Sequence, residues 1–441
     1  MTRTISNELL ELKLAESLGA PVPARTRRDL RLPAVPGKAL AVIGVRRGGK
    51  TSFLQRILSD HLASGEAHER HLLLSLEDER LVGMTAEDLG WLLDAHLRLL
   101  SSVPSAGPRT IYLDEIQLVE GWDRIVRRLL DIGDTRIFLS GSSAKLLSRE
   151  VGTALRGRAM EVLVHPFSFR ESLRHRDAEP TTAWHALDLH ARAALEHALR
   201  DYLATGGFPE AQGVDVRDRV PLLKSYVDVM VLRDVIDRHR VTSTEVLRRM
   251  QRHLLSNPAG AFSVHKMHNA LKSQGLHVGK DKMYEYLDHL EDAFLVRLVA
   301  MHTDSERQRA VNPRKAYPID TGLIQVYERG GQQHQGHALE TVVLLELERR
   351  GYAAGWVRVG ADSEVDFFAE RVGAPPLLIQ VCLESDSETT WNREVRSLQS
   401  ALEHYGDSRA ILLTLDPSPP TRPLPAGIEW RSAADWLLTD G

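Results

Sequence analysis

One stretch of the chain has the residue types and spacing to hold phosphate groups: Gly44-Val45-Arg46-Arg47-Gly48-Gly49-Lys50-Thr51, followed by Ser52. It fits G-x-x-x-x-G-K-[ST], with an apolar run before it and a helical pattern after it. Glycines let such a loop curl so that backbone N–H groups point at phosphate oxygens, and the next helix presents the positive end of its dipole. Gly44, Arg46, Arg47, Gly48, Gly49, Lys50, Thr51 and Ser52 are therefore the candidate phosphate-binding residues. Lys50 is placed to reach the β- and γ-phosphates, and Thr51 to offer a hydroxyl to Mg²⁺. The plain alternative is a glycine-rich strand-to-helix turn that binds nothing.

Hydrolysis also needs a carboxylate to hold the metal and a second to orient the attacking water. Thr110-Ile111-Tyr112-Leu113-Asp114-Glu115 supplies both after an apolar strand, with Asp114 the candidate Mg²⁺ ligand and Glu115 the candidate general base. The next apolar run ends in Ser140-Gly141-Ser142-Ser143, whose hydroxyls, with Ser142 the candidate, either sense the terminal phosphate or cap a following helix. Arg156-Gly157-Arg158 comes after it. Arg158 is a candidate finger that neutralises transition-state charge in a neighbouring copy, although Arg156 and Arg233 compete for that role.

These residues require a frame. Short apolar runs at Ala39–Ile43, 71–76, 110–113 and 136–139 are separated by helical patterns, which predicts a parallel sheet in an α/β domain. Residues 1–36 read as an N-terminal arm with a short amphipathic helix and four prolines. The ATPase-type core spans 37–170, a helical lid 171–240, a winged-helix domain 241–325 and a mixed α/β domain 335–441. A length of 441 residues agrees with several domains, at roughly 100–200 residues each.

Hydrophobic residues at 43% and charged residues at 26% are ordinary globular values and exclude a fibrous or wholly disordered chain. The net charge of −4 excludes a polycation, so any contact with nucleic acid must come from a local basic patch. Cys382 is the only cysteine, which excludes an intrachain disulfide and a multi-cysteine zinc site. No signal-like or membrane-spanning run is present, and the chain reads as a soluble cytoplasmic protein.

The ordered set Gly44 to Thr51, Tyr112 to Gln117, Leu139 to Ser143, Leu155-Arg156-Gly157-Arg158, His165-Pro166-Phe167-Ser168-Phe169, Gly206 to Pro209 and Glu340…Asp366…Gln380 resembles a known family. This is the AAA-type P-loop ATPases of bacteria and archaea that carry a C-terminal domain of unknown function. The resemblance covers nearly the whole chain. It implies an ATPase core, a winged helix and a nuclease-like C-terminal fold, with ATP and Mg²⁺ as cofactors, but no agreed cellular role.

Residues 264–273, 280–292, 295–301 and a polar loop at 303–313 follow winged-helix order. Between Arg233 and Lys315 there are 15 Lys and Arg against 10 Asp and Glu, a local charge of +5. That sign suits phosphate contact. Lys280, Lys282, Arg307, Arg309, Arg314 and Lys315 are the candidate DNA contacts, although acids on the same helix dilute the charge and a packing role stays open.

In the C-terminal domain, Glu340, Asp366 and Gln380-Val381-Cys382 follow the order of a PD-(D/E)xK nuclease. Gln380 stands where the second acid belongs and Cys382 where the lysine belongs. A neutral amide is a poor ligand for a hard cation and a thiol cannot replace an ammonium, so no nuclease activity is expected. Glu340, Glu364 and Asp366 are expected as solvated surface acids, and Cys382 as a buried small hydrophobe.

The function expected from these readings is an oligomeric ATPase, a ring that could be a hexamer, which binds and remodels DNA or moves along it. The alternative is an ATP-switched regulatory or defence protein whose C-terminal domain binds a protein partner.

Overall fold

The computed structural model describes residues 5–100, 107–141, 155, 157–303, 305, 312–327, 335–360, 363–383 and 388–439. Two compact units divide the chain, Met1–His165 and Pro166–Gly441.

In the first unit, β1 (Ala39–Ile43), β2 (His71–Ser75), β3 (Arg109–Asp114), β4 (Thr135–Gly141) and β5 (Ala159–Leu163) form one sheet in the order β2-β3-β4-β1-β5. All pairings are parallel. Strands β1 and β3 are almost wholly buried, as expected of a parallel sheet covered on both faces. Strand β5 went unread in the sequence: it is a partly exposed edge strand, and Glu161 interrupts its apolar run. Val42, Phe53, Leu54, Ile57, Tyr112 and Phe138 form the centre of this core, against which Val22, Leu30 and Leu32 of the N-terminal arm pack.

The arm's helix, Asn7–Gly19, is capped by Ser6. On it the Ser17 hydroxyl donates to the Leu73 carbonyl at 2.8 Å and accepts from the Leu73 amide at 3.0 Å. One side chain thus occupies part of the open edge of β2, where unpaired backbone groups would otherwise invite another strand. Lys13 pairs with Asp78 at 2.6 Å, and Arg80 with Glu16 at 2.9 Å.

In the second unit, helices Thr244–Ser256, Val264–Ser273 and Lys280–Asp292 accompany a small antiparallel sheet. Its strands are β6 (Gly260–Phe262), β7 (Val296–Val299) and β8 (Arg314–Pro318), with β8 in the middle. Met283, Tyr286, Leu287 and Leu290 are buried on one face of their helix, as their spacing predicts. The remaining strands are β9 (Ala353–Val359), β10 (Ser363–Glu370), β11 (Leu377–Cys382), β12 (Arg409–Thr414) and β13 (Ile428–Ser432). They form a mixed sheet in the order β13-β12-β11-β10-β9. Val357, Phe368, Leu378 and Cys382 on one face meet Trp391, Val395 and Leu398 of helix Glu388–His404.

The opposite face of that sheet belongs to a larger core. Phe169, Leu195, Leu199 and Tyr202 lie in the same cluster as Val299 and Tyr317 of the small sheet, Leu339 of helix Gln335–Arg349, and Phe367 and Ile379 of the mixed sheet. The helices read as a lid therefore open with a segment, Leu189–Thr205, whose apolar side is built into the interior of this unit.

The turn Gly206-Gly207-Phe208-Pro209 is part of the same construction. The Asp320 carboxylate accepts from the Gly207 amide at 2.6 Å and from the Gly322 amide at 2.9 Å. Any Cβ on Gly207 would fall 2.1 Å from the Phe167 carbonyl oxygen, which accounts for glycine there. Among the described residues, no helix is long and apolar enough to cross a membrane.

Replacing Asp320 by Ala should leave buried amides without acceptors and cost about 1–3 kcal/mol for each. A lower urea midpoint at constant slope checks this; an unchanged midpoint would deny the carboxylate its structural role.

Candidate nucleotide-binding site

The loop after β1 begins at Gly44 with φ 148°, and a Cβ there would lie 2.2 Å from the Val164 carbonyl oxygen. Only glycine lets the loop pass β5 this closely. At the far end of the loop, helix Lys50–Ala63 starts after Gly49, which has φ 97°. Lys50 is buried, and its ammonium donates to the carbonyls of Gly44 and Val45 at 3.1 Å each. The lysine is thus folded over the loop whose phosphates it is placed to meet.

Because β4 separates β1 from β3, the loop and the end of β3 face each other across one strand. Thr51 Oγ1 donates to Asp114 Oδ2 at 2.6 Å, and the Ser140 hydroxyl at the end of β4 donates to Asp114 Oδ1. A hydroxyl and a carboxylate at this separation are hard oxygen donors of the kind Mg²⁺ takes alongside phosphates and water. The donor set therefore fits the ion that the motif implies.

Glu115 follows with φ 55°, left-handed backbone that a non-glycine residue rarely adopts. Its amide donates to Ser140 Oγ at 3.1 Å, and Gln117 Nε2 donates to its carboxylate. Burial pushes the Glu115 carboxyl above the ordinary range, opposed by the Lys50 ammonium and the Gln117 amide. A glutamate so placed is a stronger base than a solvated one.

Other predicted residues take less central places. Arg46 pairs with Glu77 at 3.5 Å, and Arg47 holds left-handed backbone at φ 64°. Ser52 is half-buried in the first turn of the helix. Arg158 pairs with Asp131, and its carbonyl accepts from the Ala39 amide at the start of β1. It thus lies at the opposite end of the sheet from its own phosphate loop, ~16 Å along a strand of this length. Arg158 therefore does not reach the phosphate loop of its own chain. Ser142 and Arg156 fall outside the described residues.

Sequence reasoning assigned no role to Arg28 or Gln117, and read Ser140 as a phosphate sensor or helix cap rather than as a partner of Asp114. Arg28 is buried and donates to the Gly48 carbonyl at 3.3 Å and to the His165 carbonyl, tying the arm to the phosphate loop. No motif marks it, because the contact spans a long separation in sequence. Ser140 had a signal, being a polar residue at the end of an apolar strand.

In the second unit, the DNA candidates separate. Lys280 lies 2.8 Å from His265 Nδ1, Lys282 pairs with Glu285 at 2.7 Å, and Arg314 is exposed. Arg307 and Arg309 lie outside the described residues. Lys315 corrects the sequence reading: it is buried, 2.8 Å from Glu364 Oε1 and 3.5 Å from Asp366 Oδ1. It sits on the central strand β8, where alternation turns it inward, so it offers nothing to an external phosphate.

Of the acids expected at the surface, Asp366 is buried beside Lys315 and Glu340 is half-buried, while Glu364 stays 38% exposed and also pairs with Arg358 at 3.1 Å. Asp366 accepts from the Val381 amide at 3.0 Å and from Gln380 Nε2 at 3.0 Å, and the same Gln380 nitrogen lies 2.6 Å from Glu394. Tyr317 donates to Glu340 at 3.5 Å. Burial pushes Glu340 well above the carboxylate range, with Asp366 adding to it, and Asp366 is raised mainly by burial as well. Burial alone would lower the Lys315 pKa, but Asp366, Glu340 and Glu364 together hold it raised. Among the described residues, no group of three or more His, Cys, Asp or Glu is arranged to hold a metal ion.

Residues 36–173 match a family described as an AAA domain, residues 196–332 a domain of unknown function, and residues 332–419 a restriction endonuclease family. The uncharacterized protein MJ1544 of Methanocaldococcus jannaschii is 32% identical over 381 residues, covering 85% of this chain and 81% of the relative. An uncharacterized protein of Haemophilus influenzae is 30% identical over 404 residues, covering 90% and 93%. Among solved structures, the Walker-type ATPase PABY2304 of Pyrococcus abyssi is 17% identical, with TM-score 0.41 over 73% of this chain and 95% of that one. The Aeropyrum pernix ORC1 protein in complex with DNA is 13% identical, with TM-score 0.29 over 73% and 90%.

Replacing Lys315 by Met should leave the buried Asp366 carboxylate without its neutralising cation, at a cost of about 3–5 kcal/mol. Chemical denaturation of the full chain measures it. A variant of unchanged stability would return Lys315 to the surface.

Proposed function

Because the chain belongs to the AAA-type P-loop ATPases that carry a restriction-endonuclease-like C-terminal domain, we propose that it is a Mg²⁺-dependent ATP hydrolase which assembles with its own copies and acts on DNA in the cytoplasm. The observation that carries the hydrolase reading is the Thr51–Asp114 contact at 2.6 Å, with Lys50 behind it and Glu115 beside it. Bound Mg²⁺ supplies charge neutralisation at the phosphates, and Thr51 and Asp114 are the residues that would hold it. Lys50 leaves the Gly44 and Val45 carbonyls for the β- and γ-phosphates. Glu115, positioned by Gln117, orients and deprotonates the attacking water. Ser140 fixes the Asp114 carboxylate. Arg158 of a neighbouring copy stabilises charge on the transferring phosphoryl group, in a ring that could be a hexamer.

The DNA reading is supported by winged-helix order in Thr244–Ser256 through β8 and by the local charge of +5. A second reading, an ATP-driven switch partnered by protein, is favoured by one observation: helix Lys280–Asp292 carries five acids against Lys280 and Lys282. ATP turnover with and without single-stranded, duplex and branched DNA separates them. Salt-sensitive stimulation supports action on DNA, and slow turnover indifferent to every DNA supports the switch.

The C-terminal domain is read as a binding or assembly fold without nuclease activity. Gln380 is committed to Asp366 and Glu394, and Cys382 faces an apolar layer. Metal-dependent DNA cutting that Asp366→Ala abolishes would overturn this.

Glu115→Gln should bind ATP yet lose turnover by about two to four orders of magnitude, the usual worth of a positioned base. Since burial raises the Glu115 pKa, its ionised, active form is lost at a higher pH than for an ordinary glutamate. The acid limb of kcat should therefore lie above that of an ordinary glutamate and vanish in Glu115→Gln. A limb that persists in the variant would remove Glu115 as base.

A further inference from the structure

We infer that nucleic-acid backbone docks in the groove between helices Thr244–Ser256 and Val264–Ser273, and not on helix Lys280–Asp292. This inference rests on the DNA reading above and names the surface that would serve it. Glu245, Arg248, Arg249 and Arg252 fall at i, i+3, i+4 and i+7, so they form one stripe along the first helix. The opposite side of that helix, Val246, Leu247, Met250, Leu254 and Leu255, is buried and fixes which way the stripe faces. Lys266 joins the stripe from the second helix, and together these residues line an open groove of about 930 Å³.

Charge decides between the two surfaces. The groove gathers four cations against Glu245. Helix Lys280–Asp292 carries Lys280 and Lys282 against Asp281, Glu285, Asp288, Glu291 and Asp292. A polyanion is drawn to the first and repelled by the second.

The ion pairs that the groove arginines make do not close it. Arg248 lies 3.3 Å from Asp228 and Arg249 2.9 Å from Glu245, with both arginine side chains about 40% exposed. Pairs this exposed are worth little and yield to phosphate. Arg252 and Lys266 are themselves exposed. The N-terminus of helix Val264–Ser273 opens at Ser263, another lining residue, and adds its partial positive charge.

The test measures anisotropy of a short labelled duplex with the full-length protein across a salt series, comparing Arg252→Ala/Lys266→Ala with Lys280→Ala/Lys282→Ala. The groove variant should bind about tenfold or more weakly at low salt, with a salt slope shallower by about 2, one for each lost phosphate contact. The Lys280/Lys282 variant should stay within about twofold of the parent by the same measure. Both should keep the parent's basal ATP turnover and melting curve. If the parent binds DNA and the groove variant binds equally well, the groove is refuted and the DNA reading survives. No binding by the parent at any salt sinks both. Equal affinity for polyglutamate of matched charge would reassign the groove to acidic protein segments and refute the proposal.

Discussion

Everything at the nucleotide site depends on one hydrogen bond, from Thr51 to Asp114, and that bond exists because the sheet places β4 between β1 and β3. One intervening strand sets the two strand ends apart while keeping Thr51 Oγ1 and Asp114 Oδ2 within 2.6 Å, the spacing on which the proposed metal site rests. It also brings in the third participant, since Ser140 terminates β4 and holds Asp114 from the other side. Glu115 then sits where the chain must turn sharply away, in left-handed backbone that costs of order 1 kcal/mol for a residue with a Cβ. The surrounding packing absorbs that cost to keep the carboxylate beside its partners.

Much of this site is legible without coordinates, for a physical reason. Phosphate binding by a strand–loop–helix is a local act, so Gly44 through Ser52 must be contiguous, and the metal-binding acid must end a buried strand. Those requirements leave periodic and compositional marks. Arg28 leaves none: its role is to bond the Gly48 carbonyl from a proline-rich arm, and the loop's shape is the only thing that specifies it. Strand β5 was invisible because an edge strand exposed on one side tolerates Glu161, and the mixed pattern resembles a loop.

Lys315 shows the opposite failure. Read locally, it is one cation among several in a basic stretch. Position on the central strand of the small sheet turns it into the interior, where Glu364, Asp366 and Glu340 surround it. Net charge of a segment says nothing about which of its charges are solvated, and burial reverses what each can do. The same applies to Glu340 and Asp366, expected as surface acids, whose partners stand on strands β8 and β11.

The shared interior of residues 166–441 bears on how such a chain can change over generations. Leu195, Tyr202, Val299, Tyr317, Leu339 and Ile379 occupy a single core although they come from three nominal modules. Exchanging one module for a relative's version would set mismatched side chains against each other in a close-packed interior. A swap at one of those seams should therefore be costly, which favours change on the outer surfaces, where the buried packing is left intact.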